Sequence, residues 1–273
     1  MRPTLSRRFA LRLSGGSWRV LGLAAAVLFG AVGCTWYRPT RTPLPTVTFQ
    51  AGRAGESVYA LLLPGRGDVP RDYARARFPE RLVEAGFRGE IVAADAHLQY
   101  YLQGGVIDRL HQDVVRPRVD RAPWLVGISL GGLGALLFEK EHPGTARGLV
   151  LIAPYLGEPG LIREIEDAGG LAAWEPGSFS PDDTQRALWA WIKAGGLARV
   201  PVYLAWGRSD RFARANRLLA GILPPGQVVE VPGGHTWSAW KPAFDALVAR
   251  GACGVAVSST PQGAAHRGGG AAQ

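Results

Sequence analysis

Between Thr46 and Arg250 the chain alternates short strand-like apolar runs with longer segments of helical spacing, and this alternation limits the fold more than any other feature. Strand, helix and strand in repetition build a largely parallel sheet with helices on both faces. The strand-like runs are TVTFQ (Thr46 to Gln50), SVYALLL (Ser57 to Leu63), EIVAAD (Glu90 to Asp95), PWLVGIS (Pro123 to Ser129), GLVLIAP (Gly148 to Pro154), PVYLAWG (Pro201 to Gly207) and QVVEVPG (Gln227 to Gly233). The first two flank the turn AGRAGE and are expected as neighbours, the first as an antiparallel edge. Helical spacing covers Tyr73 to Phe87, where Pro79 predicts a kink, then Val106 to Val115 and Leu130 to Pro143. With 273 residues, 47% of them apolar, the chain can bury all this as one α/β domain.

The two ends read differently from this middle. Residues 1–33 carry five arginines, no acid, and a 13-residue apolar run from Val20 to Val32, the pattern of a secretory signal peptide. The run is shorter than the roughly 20 residues a bilayer-spanning helix needs. It ends in AVGC, where Gly33-Cys34 resembles a bacterial lipobox, with Ala31 where Leu is usual. Cys34 is therefore the expected lipidation site and membrane anchor. Ordinary cleavage, leaving a soluble periplasmic or secreted protein with Cys34 free or bridged to Cys253, is the alternative. SRRFALR (Ser6 to Arg12) also resembles a twin-arginine export signal. Residues 34–45 read as a Pro- and Arg-bearing tether, 46–252 as the folded domain, and 253–273 as a Gly-rich disordered tail. The formal charge of +9 falls by more than half once the first 33 residues are set aside, leaving 26 basic against 22 acidic groups, which argues against a nucleic-acid-binding domain.

GISLGG (Gly127 to Gly132) closes one strand and opens a helix. With 37 glycines in the chain, a G-x-S-x-G pattern arises roughly 0.2 times by chance, so context must decide. A Ser on a strand-to-helix turn is thrust above the sheet, and its neighbours two before and two after lack room for side chains. Gly127 and Gly131 meet that requirement for Ser129. A base and an acid should follow later, each past a strand. Asp210 follows PVYLAWG in GRSD, and His235 follows QVVEVPG in GGHTW. An N-cap for the next helix is the plain alternative for Asp210.

In this order Ser129, Asp210 and His235 resemble the α/β-hydrolase superfamily, with esterases and lipases its nearest type, over about Thr46 to Arg250. The resemblance implies a mostly parallel central sheet with helices on both faces and a short helical cap, here about residues 155–200. It implies Ser129 as nucleophile, His235 as general base and then acid, and Asp210 as the group that orients the imidazole. The oxyanion donors would be the backbone N–H groups of Leu130 and Arg66. The latter lies in Pro64-Gly65-Arg66-Gly67, where relatives often carry His-Gly-x-Gly. Gly65, Asp95, His97 and Trp189 are candidate pocket residues, Trp189 because Leu188, Trp191 and Ile192 share one helical face and it points elsewhere, with hydrogen bonding inside its own loop the plainer reading for Asp95. The expected activity is hydrolysis of carboxylic esters, with a small-molecule or lipid-like substrate and neither cofactor nor metal. Thioesterase, amidase and acyltransferase chemistry use the same triad, and a non-catalytic binding lipoprotein on the same fold stays open.

Overall fold

In a computed structural model, which describes residues 38–53 and 55–256, the apolar runs become seven strands. These are β1 (Thr46–Gln50), β2 (Val58–Leu63), β3 (Glu90–Ala94), β4 (Ala122–Ile128), β5 (Gly148–Ile152), β6 (Val202–Gly207) and β7 (Val228–Val231). They form one sheet in the order β1-β3-β2-β4-β5-β6-β7. Every pairing is parallel except β1 with β3. The chain divides into two units, residues 1–39 and 40–273, and all of these elements belong to the second. The expected signal segment, Cys34 and residues 257–273 lie outside the described residues.

The antiparallel edge is present, but β1 and β2 are not neighbours. Five of the six residues of β2 are buried, and it bonds to β3 on one side and β4 on the other. That leaves no free edge for β1. The exposed and half-buried residues of β1 suit an outer position beside β3, whose five residues are all buried.

The helices cover this sheet. The first helical segment is two helices, α1 (Pro70–Arg75) and α2 (Phe78–Glu84), and the break falls at Arg77, whose φ is 63°. Pro79 makes no kink, since it sits in the first turn of α2, where a missing N–H is harmless. Next come α3 (Leu98–Leu102) and α4 (Val106–Arg109), the latter continued by a π turn at Leu110–Val115. The helix α5 (Leu130–Glu141) follows β4 directly and is buried along most of its length. Between β5 and β6 lie α6 (Pro159–Asp167) and α7 (Thr184–Lys193), and α8 (Ala213–Ala220) and α9 (Trp237–Ala249) complete the set.

Residues 40–45, expected as part of a tether, are docked on the domain. Leu44 is buried, its N–H donates to Asp113 Oδ2 at 2.8 Å, and the Arg41 N–H donates to the Tyr100 hydroxyl at 2.8 Å. An apolar side chain to bury and two side-chain acceptors for the backbone are enough to fix the segment. At the other end, Cys253 is a buried free thiol and Val255 is also buried, so the core continues past residue 252. Burial pushes the Cys253 thiol pKa far above its usual value.

Candidate active site

Three loops at the carboxyl ends of β4, β6 and β7 meet above the sheet. The first carries Ser129, in the sparsely populated conformation φ 51°, ψ −111°. Hydrogen bonds hold it there on both sides: the Ser129 N–H donates to the Ile152 carbonyl at 3.0 Å, and the Ser129 carbonyl accepts from Gly132 and Tyr155 at 3.0 Å each and from Leu133 at 3.2 Å. A Cβ on Gly127 would fall 2.3 Å from the Gly131 carbonyl oxygen, and one on Gly131 would fall 2.0 Å from the Leu63 carbonyl oxygen. The two glycines flanking the serine are therefore required by close backbone approach.

The second loop brings Asp210 and the third His235. Their backbones are tied together, with Arg208 donating to the Val231 carbonyl at 2.7 Å and Ser209 to the Gly233 carbonyl at 2.9 Å. His235 Nδ1 lies 2.8 Å from Asp210 Oδ2, and His235 Nε2 lies 2.9 Å from Ser129 Oγ. With Nδ1 protonated toward the carboxylate, Nε2 is left to accept the serine proton. The Asp210 side chain is wholly buried and that of His235 is 10% exposed. Asp210 does not cap α8, whose N-cap is Phe212 with no side-chain cap hydrogen bond; its Oδ1 instead accepts the Phe212 N–H at 2.8 Å within the loop that precedes the helix. Its two oxygens thus have separate partners, one in its own loop and one on His235.

Aromatic rings fix the imidazole plane. Phe212 and Trp240 both meet the His235 ring edge to face, with centroids 4.8 and 5.0 Å away, and Tyr155 meets Phe212 at 5.3 Å. On the other side of Ser129 is the loop after β2. A Cβ on Gly65 would lie 3.6 Å from Ser129 Cβ, so this loop abuts the nucleophile as its sequence position requires. The N–H groups of Gly67 and Asp68 both turn back to the Gly65 carbonyl, at 2.9 and 3.2 Å. Asp68 is the member of this neighbourhood that the sequence reading passed over. Its Oδ1 accepts the Trp237 indole N–H at 3.0 Å, and burial raises its carboxyl pKa above the usual aspartate value.

The remaining candidates lie further out. Asp95 lines a small cavity with Pro45, Val69 and Pro70, and its N–H donates to the Pro45 carbonyl at 2.8 Å. His97 is buried, with its ring 4.7 Å from that of Tyr100. Trp189, singled out for its separate face on α7, has no exposed surface. Its indole N–H donates to the Leu156 carbonyl at 2.7 Å, so it packs the segment after Tyr155 and does not line an open pocket. Larger cavities of about 640 and 650 Å³ contain no triad residue, and they open near Val202 and near Val58 and Ala122, the amino ends of strands. Ligands of such sheets bind at the carboxyl ends, where the triad sits. Among the described residues, no group of three or more His, Cys, Asp or Glu could hold a metal ion.

A buried aspartate, a bridging histidine and a serine on a strained strand-to-helix turn are the triad of a serine hydrolase, carried on an α/β-hydrolase fold. Residues 50–250 match the family model Esterase, described as "Putative esterase", and the chain belongs to that family. No curated protein matches it. Among solved structures it is similar to Est1E from Butyrivibrio proteoclasticus, with 15% identity, a TM-score of 0.52, and coverage of 74% of this chain and 89% of that one. It is also similar to an S-formylglutathione hydrolase from Staphylococcus aureus, with 16% identity, a TM-score of 0.46, and coverage of 70% and 79%. A monoacylglycerol lipase from Paleococcus ferrophilus has 19% identity, a TM-score of 0.43, and coverage of 76% and 99%.

Proposed function

We propose that this serine hydrolase cleaves carboxylic esters through an acyl-enzyme on Ser129. The observation that carries the reading is the continuous line from Asp210 Oδ2 through His235 to Ser129 Oγ, with contacts of 2.8 and 2.9 Å. Ser129 Oγ attacks the ester carbonyl while Nε2 takes its proton. As the tetrahedral intermediate collapses, Nε2 returns that proton to the departing alkoxide. Water then repeats the sequence on the acyl-enzyme and releases the acid.

The developing oxyanion would be held by the N–H groups of Leu130 and Arg66. Leu130 is the first residue of α5, so its N–H has no acceptor within the helix and lies at the positive end of the helix dipole. Arg66 belongs to the loop that abuts Ser129. Each such donor is worth about 10² to 10³ in rate. The insertion between β5 and β6, residues 155–200, would cap the site, and its attachment at Tyr155 supports this, because the Tyr155 N–H bonds the Ser129 carbonyl at 3.0 Å.

The N-terminal pattern adds a location to this reading: export and lipidation at Cys34, which would hold the enzyme at a membrane. Among the described residues no helix is long and apolar enough to cross one. The mass of the mature N-terminus tests the anchor, and an unmodified Cys34 there would refute it. For the activity, wild type and Ser129→Ala are compared on p-nitrophenyl esters from acetate to palmitate. Turnover by the wild type and a loss of at least about 10³ in the variant are expected. No turnover of any ester by a folded wild type would remove the esterase reading.

A further inference from the structure

We infer that Asp68 is a positioning residue: its carboxylate braces the oxyanion loop against the base of the helix that follows His235. The inference rests on the assignment of that loop to oxyanion binding. The head of this loop is Pro64, which has neither a backbone N–H nor a polar side chain with which to hold the turn. Asp68 supplies the missing support from the other end. Oδ1 accepts the Trp237 indole N–H at 3.0 Å, and a Cβ on Gly65 would fall 2.5 Å from Oδ2, so the carboxylate lies directly against the Gly65 backbone. One carboxylate thus joins two segments 169 residues apart in the chain.

Both ends of this brace are set firmly. Trp237 opens α9, two residues after the base, and its ring is held edge to face by Tyr73 at 5.7 Å, Phe78 at 5.6 Å and Trp240 at 5.3 Å. Trp240 in turn meets His235 at 5.0 Å. At the other end, Gly65 lies against Ser129, with its Cβ position 3.6 Å from Ser129 Cβ. A shift of Asp68 would therefore move the peptide that follows Gly65, whose N–H belongs to Arg66. The carboxyl is half-buried, and its charged form depends on the Trp237 indole N–H because water reaches it poorly. Catalysis is sensitive to this because an oxyanion donor works only when it is aimed at the position the charged oxygen will take.

The test uses Asp68→Asn, Trp237→Phe and the double variant. Asp68→Asn keeps an oxygen for the indole but removes the charge and puts an N–H₂ against the Gly65 backbone; Trp237→Phe removes the indole N–H and keeps a ring among its aromatic neighbours. Each single variant should lower kcat by about 10-fold, less than removal of a whole donor, with KM changed by under about 3-fold. The rate at which an alkyl fluorophosphonate labels Ser129 should fall in step. Because the two residues form one brace, the double variant should lose little more than the worse single one. Thermal melts report whether each variant is folded, and Asp68→Asn, nearly the same shape, decides if Trp237→Phe is not. A folded Asp68→Asn enzyme with wild-type kcat and labelling rate overturns the inference, as does a loss confined to KM. If the wild type is labelled but hydrolyses no ester, the esterase reading fails while the labelling rates still decide the brace. If it neither hydrolyses nor labels, both fail.

Discussion

At Ser129 the backbone is held where few residues go, and the reasons are local and complete. Four hydrogen bonds pin its peptide groups, and two glycines let Leu63 and residues 127–131 pack backbone against backbone. Strain of this kind, of order 1 to 3 kcal/mol, persists only where surrounding contacts over-determine it. Asp210 shows the same economy, with one oxygen on the Phe212 N–H and the other on His235 Nδ1. Asp210→Asn keeps an acceptor for the Phe212 N–H but offers the imidazole an amide that favours the wrong tautomer. The variant should melt near the wild-type temperature and lose about 10³ to 10⁴ in kcat. A loss of less than about 10-fold, measured on the best ester, would mean that the His235 tautomer does not depend on Asp210.

Among the elements, the insertion between β5 and β6 has its own internal fastening. Arg186 on α7 grips Glu164 on α6 with two bonds of 2.6 and 2.7 Å, and the Trp174 indole donates to the same carboxylate at 2.8 Å. First the Arg186 hydrogen bonds, then that of Trp174, hold the Glu164 carboxyl well below the usual range, at about 2. A depressed carboxyl pKa adds stability above the ordinary value near 4.5, and that contribution is lost as pH falls toward 2. Glu164 is well exposed to solvent, so the tie is worth about 1 kcal/mol or less. Glu164→Gln should therefore melt slightly below wild type at pH 7, and the two melting temperatures should converge as the pH approaches 2. Calorimetry across that range checks this, and a gap that stays constant would show that the carboxylate charge plays no part.

What could be read from the sequence divides along the same physical line. Ser129, Asp210 and His235 were legible because each follows a strand at once, and strand-like runs are local patterns. The partner of β1 was not legible, because edge pairing depends on which other strands have used up their edges. The break at Arg77 was displaced onto Pro79, since a proline in the first turn of a helix looks the same in sequence as one inside it. Asp68 escaped notice for a further reason: its neighbour Trp237 is 169 residues away, and the aspartate of GRGD has no spacing that signals it. Trp189 stood apart on its helical face, yet the fold buries that face too.

The unit formed by residues 40–273 is built on a sheet whose strands after β1 run parallel, so their carboxyl ends gather on one side. That side collects the nucleophile, acid and base from the turns after β4, β6 and β7, with the loop after β2 lying against Ser129. The opposite ends carry cavities with no triad residue. Everything functional in this account passes through one atom, Ser129 Oγ. The most direct test is to treat the intact protein with an alkyl fluorophosphonate and locate the adduct by peptide mass spectrometry. A single adduct on the peptide bearing Ser129 is expected, absent from Ser129→Ala and formed at least about 10²-fold more slowly in His235→Ala. An adduct on another residue, or ester turnover that survives Ser129→Ala, would contradict the account.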